Sequence, residues 1–231
     1  MASATAVIVT AYNEADRLPA TLSALAAAFP GARIVIADDG STDDSATVAA
    51  AHGADVVSSA RNIGKGGAAT LAAQRLLPLA DEDPDAVILL CDGDLAASAE
   101  ALKALVEEVR AGRADLAVAA FATRVGGGFG LALGFARWAI RSRCGLETTA
   151  PISGQRALRA AVLPAVLPFA PRFGMEIGMT IDAARAGFRV VEVELPLAHR
   201  ATGRTMRGFL HRGRQMLDFA AVYRARRPLR L

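Results

Sequence analysis

Apolar positions along the chain fall into short unbroken runs that alternate with longer stretches of helical spacing. The runs at Ala6–Ala11, Arg33–Ala37, Asp55–Ser58, Ala86–Cys91 and Asp115–Ala122 have the length and content of buried strands. Between them, Ala15–Phe29, Asp43–His52, Gly67–Leu77 and Ala99–Arg110 carry helical patterns. This alternation predicts an α/β fold, a parallel, doubly wound sheet with helices on both faces. Beyond residue 122 the pattern changes. A glycine-rich loop, VGGGFG, leads into a helix ending near Arg143, and a short SGQ segment precedes another helix. Met175–Ala186 reads as helix, Arg189–Leu195 alternates as a strand, and an Arg-rich helix follows Thr205. No linker, repeat or low-complexity segment interrupts the order, so one domain is expected.

The fourth run raises a question of charge. Six apolar residues, Ala86 to Cys91, lead directly into Asp92 and Asp94, with only Gly93 between the two carboxylates. Either solvent screens the pair at a strand end, or a cation is missing from the sequence. In doubly wound sheets ligands bind beyond the carboxyl ends of the strands. Three such ends here carry acids: TAYNEADR after the first strand, ADDGSTDD after the second and CDGD after the fourth. Asp43 and Asp44 also suit a turn and helix cap, whereas Asp38 and Asp39 follow the strand directly. For Asp92 and Asp94 a divalent cation resolves the repulsion, since hard oxygen ligands with substrate phosphates suit Mg2+ or Mn2+. The stretch NIGKGGAAT opens a helix with glycines and Lys65, and its backbone amides suit a phosphate. It lacks the spacing of a P-loop, and a helix start with a solvated lysine is its plainer reading.

Composition narrows the setting. The chain has 231 residues, 53% of them hydrophobic, enough for a generous core rich in alanine helices. The start, MASATAVIVTAY, has no basic leader region and reads as a strand. The longest apolar stretch, Phe129–Ile140, is broken by Arg137 and is too short to span a bilayer. Cys91 and Cys144 form neither a disulfide framework nor a metal spacing, and a cytoplasmic location is the default. The net charge of +3 hides an asymmetry. Residues 1–199 carry 17 basic and 22 acidic side chains, while residues 200–231 carry nine arginines and one acid, Asp218. Such a tail favours phosphate, anionic lipid or nucleic acid.

AYNEADR, ADDGSTDD, NIGKG and CDGD, in this order and spacing, resemble the nucleotide-sugar half of family-2 glycosyltransferases over residues 5–122. The resemblance implies a GT-A (Rossmann-like) mostly parallel sheet with helices on both faces, in a single domain. Residues 1–122 would bind the nucleotide sugar, 123–207 the acceptor, and 208–231 form a basic C-terminal helix. Further on, PISGQRALR, LPFAPRFGMEIGMTIDAARAGF and VVEVELPLAHR are similar to glucosyl-3-phosphoglycerate synthases, soluble enzymes that use UDP-glucose. The SG-x-R-A element and the FGMEIG helix start also resemble polyprenyl-phosphate glycosyltransferases, whose acceptor is a lipid phosphate. By resemblance, Ala11, Tyr12 and Glu14 contact the nucleotide, Asp39 the base, and Lys65 the uridine or phosphates. Asp92 lies by the ribose and sugar, Asp94 and His199 are metal ligands, and Ile152 and Glu176 line the sugar and acceptor side. The chain departs from the synthases after Gly126–Gly128. Phe129, Gly130 and Leu131 follow, where the synthases carry an Arg and a Thr that bind phosphoglycerate.

The expected activity is metal-dependent transfer of a hexose, glucose by resemblance, from a UDP-sugar to a phosphate-bearing acceptor of the phosphoglycerate type. The alternative is a polyprenyl-phosphate acceptor at the inner face of the membrane. Arg200 and Arg204 add positive charge near the donor or acceptor phosphates. Asp94 and Glu176 are the catalytic candidates, Glu176 as base for a hydroxyl acceptor. Plainer readings stand beside these: a surface or capping role for His199, and a helix-dipole role for Glu176. Phe209, Leu210, Leu217, Phe219 and Tyr223 interleave with the tail arginines, either packing on the sheet or meeting an anionic membrane through 208–231. No nucleic-acid partner is expected, and a homodimer is compatible with the sequence. Three rivals remain: a nucleotidylyltransferase, which would carry a glycine- and Arg/Lys-rich loop after the first strand; a phospho-receiver module, for which the chain is too long; and a non-catalytic sugar-nucleotide binder.

Overall fold

Among the described residues, seven strands form one sheet in the order β3–β2–β1–β4–β6–β5–β7. The computed structural model describes residues 4–121, 130–195 and 217–226. The strands are β1 (Thr5–Ala11), β2 (Arg33–Asp38), β3 (Asp55–Ser58), β4 (Val87–Asp92), β5 (Leu116–Phe121), β6 (Arg156–Arg159) and β7 (Val190–Leu195). All neighbours run parallel except β6, which is antiparallel to both β4 and β5. The longer helices are α1 (Leu18–Ala28), α2 (Ser45–Ala51), α3 (Lys65–Gln74), α5 (Lys103–Arg110), α6 (Gly130–Cys144) and α8 (Met175–Arg185). Short helices are α4 (Leu79–Glu82) and α7 (Leu163–Val166), and a last helix, α9, runs over 217–225.

β1 and β4 are buried on both sheet faces, which is why their sequences are continuous apolar runs. One face packs under α1 and α5 through Val7, Val9, Leu89, Leu22 and Leu105. The other packs under α3 and α8 through Ile8, Ile88, Leu90, Ala69, Ala72 and Met179. The buried face of α3 is built from alanines and Gly66, which lets the helix axis lie close to the sheet. A Cβ on Gly66 would overlap the Ala170 carbonyl oxygen, so the helix start is pressed against the segment leading to α8. A third apolar cluster joins α6, α8 and α9 through Ala136, Ile140, Ile177, Ile181, Phe219 and Val222. Among the described residues no helix is long and apolar enough to cross a membrane.

One expectation needs correction. The helix expected after SGQ is instead strand β6, wedged between β4 and β5. Four residues are too few to show a period, and Arg156, 1% exposed, hides a core position behind a charged side chain. Only α7 follows, since Pro164 is tolerated in its first turn and Pro168 comes after its end. The tail helix is partly in the core. Phe219 and Val222 are buried, and the guanidinium carbon of Arg143 stands 3.5 Å from the centroid of the Tyr223 ring. The segment from Thr205 to Met216 lies outside the described residues.

Candidate active site at the carboxyl edge of the sheet

Parallel pairing brings the acid-bearing strand ends to one edge. Thr10 stands opposite Asp92 and Ala11 opposite Asp38, so the loops after β1, β2 and β4 emerge together. Between them lies a cleft of about 280 Å³, lined by Ala11, Tyr12, Glu14, Asp39, Lys65, Asp92 and Asp94 among others. All seven are residues expected from the sequence.

The first two loops are tied to each other. Asn13, in the left-handed region at φ 55°, accepts the Thr42 amide at 2.8 Å through its side chain. Its own amide donates to Ser41 Oγ at 2.9 Å, and the Glu14 amide donates to Ser45 Oγ at 2.8 Å. Asp43 accepts from the Ala15 and Ser45 amides at 3.1 and 3.0 Å, which is its plainer turn-and-cap role. Burial pushes the Glu14 carboxyl up, and Asp94 and Asp43 add to this against the opposing charge of Arg17.

Asp39 holds the NIGK loop. Its carboxylate accepts the Ile63 amide at 2.7 Å and the Gly64 amide at 2.9 and 3.0 Å. Gly64 has φ 89°, a conformation that suits glycine and turns the chain into α3. Burial raises the Asp39 carboxyl above its ordinary range, against the pull of those two amides.

Asp92 is answered from within the chain. Lys65 Nζ lies 2.7 Å from Asp92 Oδ1 and 3.0 Å from Glu176 Oε1, at the start of α8. Thr10 Oγ1 donates to Asp92 Oδ1 at 3.1 Å and Gln155 Nε2 to Oδ2 at 2.8 Å. Burial pushes the Lys65 ammonium down, but the two carboxylates override it and hold it charged above its usual range. Burial likewise pushes Asp92 up, and Lys65 above all, with the bonds from Thr10 and Gln155, carries it below the usual carboxylate range. The expectation that a divalent cation resolves the whole strand-end charge is therefore corrected: Lys65 neutralises Asp92. Asp94 is different. It is exposed, and its carboxylate makes no hydrogen bond or ion pair with the described residues.

Among the described residues no three His, Cys, Asp or Glu side chains are grouped as a metal site. The donor set offered is one exposed carboxylate on an acid-rich rim, which fits a hard cation sharing its ligands with substrate phosphates. His199, Arg200 and Arg204 lie outside the described residues. Glu176 is buried and engaged by Lys65. Ile152 packs against the cluster of α6, α8 and α9 rather than lining the cleft.

Sequence reasoning missed Thr10, Gln155 and Arg156. The Arg156 guanidinium donates to the carbonyls of Ser153 and Pro151 at 2.8 and 3.3 Å, on either side of Ile152. It also donates to Thr180 Oγ1 at 2.9 Å, which bonds the Glu176 carbonyl on α8 at 3.0 Å. Burial lowers its pKa to about 10, against the attraction of Glu176 and Glu192. The available signal was two adjacent polar residues, Gln155 directly before β6 and Arg156 at its start, where so short a strand leaves no room to keep them at the surface.

A family model described as glycosyl transferase family 2 matches residues 6–155. An uncharacterised glycosyltransferase of Mycobacterium tuberculosis is 32% identical over 215 residues, covering 87% of this chain and 88% of that protein. The undecaprenyl-phosphate mannosyltransferase of Micrococcus luteus is 31% identical over 212 residues, covering 85% and 84%. Among solved structures, the glucosyl-3-phosphoglycerate synthase of M. tuberculosis, in complex with Mn2+, UDP-glucose and phosphoglyceric acid, superposes with a TM-score of 0.73. It is 26% identical, with 97% of this chain and 79% of that one covered. The family match runs from β1 through the acidic strand ends to Gln155, and the chain therefore belongs to glycosyltransferase family 2, with the GT-A fold.

Proposed function

We propose that this glycosyltransferase moves a hexosyl group from a nucleoside diphosphate sugar to a phosphate-bearing acceptor, using Mg2+ or Mn2+. The observation that carries the reading is the contrast at the end of β4. Asp92 is held by Lys65, Thr10 and Gln155, whereas Asp94, two residues on, faces the same cleft without a described partner. A solved neighbour holding Mn2+ with UDP-glucose supports the donor and the cation.

When bound, the cation would supply positive charge to the departing nucleoside diphosphate. Asp94 would hold it, with His199 as the second ligand from this chain. Tyr12, 46% exposed and lining the cleft, would contact the nucleotide together with Ala11 and Glu14. Asp39 keeps the loop before α3 in place and accepts a base N–H, which selects uracil or guanine. Asp92 binds ribose and sugar hydroxyls, and Arg200 adds charge near the phosphates. Ile152 and Glu176 border the acceptor side. Glu176 is committed to Lys65, so an acceptor already present as an anion asks less of it than a neutral hydroxyl.

A small phosphorylated acid of the phosphoglycerate type is the first acceptor to consider, after the solved neighbour. A second reading, a polyprenyl phosphate met at the membrane surface, is favoured by one observation. Leu131 and Trp138 on α6 and Leu217 on α9 are 87, 50 and 72% exposed, and Trp138 and Tyr223 join the two helices at a ring distance of 4.6 Å. The exposed Arg141 and Arg224 border these residues, as at an interface with anionic lipid. Incubation of UDP-glucose and GDP-mannose, with manganese, against 3-phosphoglycerate and undecaprenyl phosphate tests both. Sugar transferred to either acceptor supports the reading, and turnover undiminished in metal-free buffer contradicts it.

A further inference from the structure

The two oxygens of Asp92 are held from different parts of the fold. Oδ1 faces Lys65 from α3 and Thr10 from β1. Oδ2 accepts from Gln155, the residue directly before β6, which is its one hydrogen-bond donor among the described residues. Gln155 is 2% exposed, and its Oε1 is buried without a hydrogen-bond partner among the described residues. A carboxylate only accepts, so the amide must turn its NH2 toward Asp92, and that orientation strands the carbonyl. An unpaired buried acceptor is destabilising, and a methionine of similar size would fill the space without one. What the amide adds over such a residue is a charge-assisted hydrogen bond to Asp92. The backbone beside it is shaped to the same end. A Cβ on Gly154 would overlap Lys65 Nζ and stand 2.9 Å from Asp92 Oδ2.

We propose that Gln155 is a positioning residue of the donor site, which fixes the plane of the Asp92 carboxylate so that it meets the sugar nucleotide in one preset orientation. The inference rests on the reading of Asp92 as a donor-binding group. Gln155 itself is too deep to touch a ligand and acts through Asp92. Without its amide, Oδ2 loses its described donor and the carboxylate can turn about its last bond.

The test uses Gln155→Met, which keeps the size and removes the donor, and Gln155→Glu, which sets a second carboxylate against the first. Both are titrated calorimetrically with UDP-glucose and GDP-mannose in the presence of manganese, and their Tm values are measured. Gln155→Met is expected to bind the donor about tenfold more weakly than wild type, as for loss of one charged hydrogen bond, and Gln155→Glu more weakly still. Gln155→Met with wild-type donor affinity, whatever its Tm, marks a merely structural residue and overturns the proposal. If the wild-type protein binds neither sugar nucleotide, it is the donor reading that fails. The unliganded crystal structure of Gln155→Met then decides the positioning claim: an Asp92 carboxylate turned from its wild-type plane supports it, and an unmoved one overturns it.

Discussion

Lys65 Nζ sits 2.7 Å from Asp92 Oδ1 and also reaches Glu176, so one ammonium from the first turn of α3 serves two carboxylates from β4 and α8. Three elements separate in sequence are thereby fixed at the mouth of the cleft. The arrangement makes Lys65 structural as well as chemical.

Lys65→Met should leave Asp92 and Glu176 facing each other without a counterion. Removing one partner of a fully buried pair costs roughly 3–5 kcal/mol, and the half-buried state of Lys65 and Asp92 reduces this to about 2 kcal/mol. The pH dependence follows from the shifts. Asp92 is held below its ordinary value of 3.8, so its contribution is complete above that pH and is lost as pH falls. Lys65 is held above its ordinary 10.5, so its contribution is complete below that pH and is lost only in stronger alkali. Urea denaturation across pH should therefore show wild type losing more stability than Lys65→Met on acidification below about pH 4. Parallel acid limbs for the two proteins would contradict the pairing.

Asp39→Ala removes the acceptor for the Ile63 and Gly64 amides and so loosens the loop that delivers Lys65. Donor affinity should fall by roughly 1–3 kcal/mol, the loss of a charged hydrogen bond. Asp39→Asn, which keeps one acceptor oxygen for the loop, should restore stability before it restores affinity. Calorimetry and thermal denaturation of the pair separate the two roles, and equal donor affinity in all three proteins would remove Asp39 from the site.

Much of this was legible beforehand. The parallel strands announced themselves because β1, β2 and β4 are buried on both faces and their runs admit little but apolar residues. The acids announced themselves because each follows such a run directly. What stayed hidden depends on contacts between distant segments. Lys65 read as a phosphate-facing or solvated lysine, since only the fold brings it to Asp92 and Glu176. β6 read as a helix leader because a buried Arg156 breaks the pattern by which strands are recognised. Phe219 and Leu217, two residues apart in α9, point to opposite environments, one core and one solvent, which arginines spaced among them obscure.

Gly154→Ala places a Cβ against Lys65 Nζ and 2.9 Å from Asp92 Oδ2, where neither neighbour can retreat without giving up its partner. Overpacking of this kind costs about 1–3 kcal/mol. Turnover should fall further than stability, since the displaced atoms are those of the donor site. An alanine variant with wild-type kcat/KM would show that the Lys65–Asp92 distance is not critical.

The exposed side chains of α6 and α9 give a prediction about surfaces. Cutting the chain after Arg207 would remove Phe219 and Val222 from the core, so point variants are the cleaner probe. Leu131→Ser and Leu217→Ser combined, which leave the Trp138–Tyr223 contact in place, should leave Tm nearly unchanged. They should abolish co-sedimentation with anionic vesicles at low salt, if the acceptor is met at a membrane. Absence of wild-type binding to such vesicles would leave the small phosphorylated acid as the acceptor.

The central claim, that the cleft takes a metal-bound sugar nucleotide through Asp94, is tested most directly by one calorimetric experiment. UDP-glucose and GDP-mannose are titrated into wild type and Asp94→Ala, each with manganese and with EDTA. Wild type should bind one of the two donors tightly with manganese and weakly with EDTA. Asp94→Ala should bind weakly in both conditions, at a Tm equal to or above that of wild type because an exposed charge that repels Glu14 and has no partner among the described residues is gone. Manganese-dependent donor binding of wild-type strength in Asp94→Ala would contradict the claim.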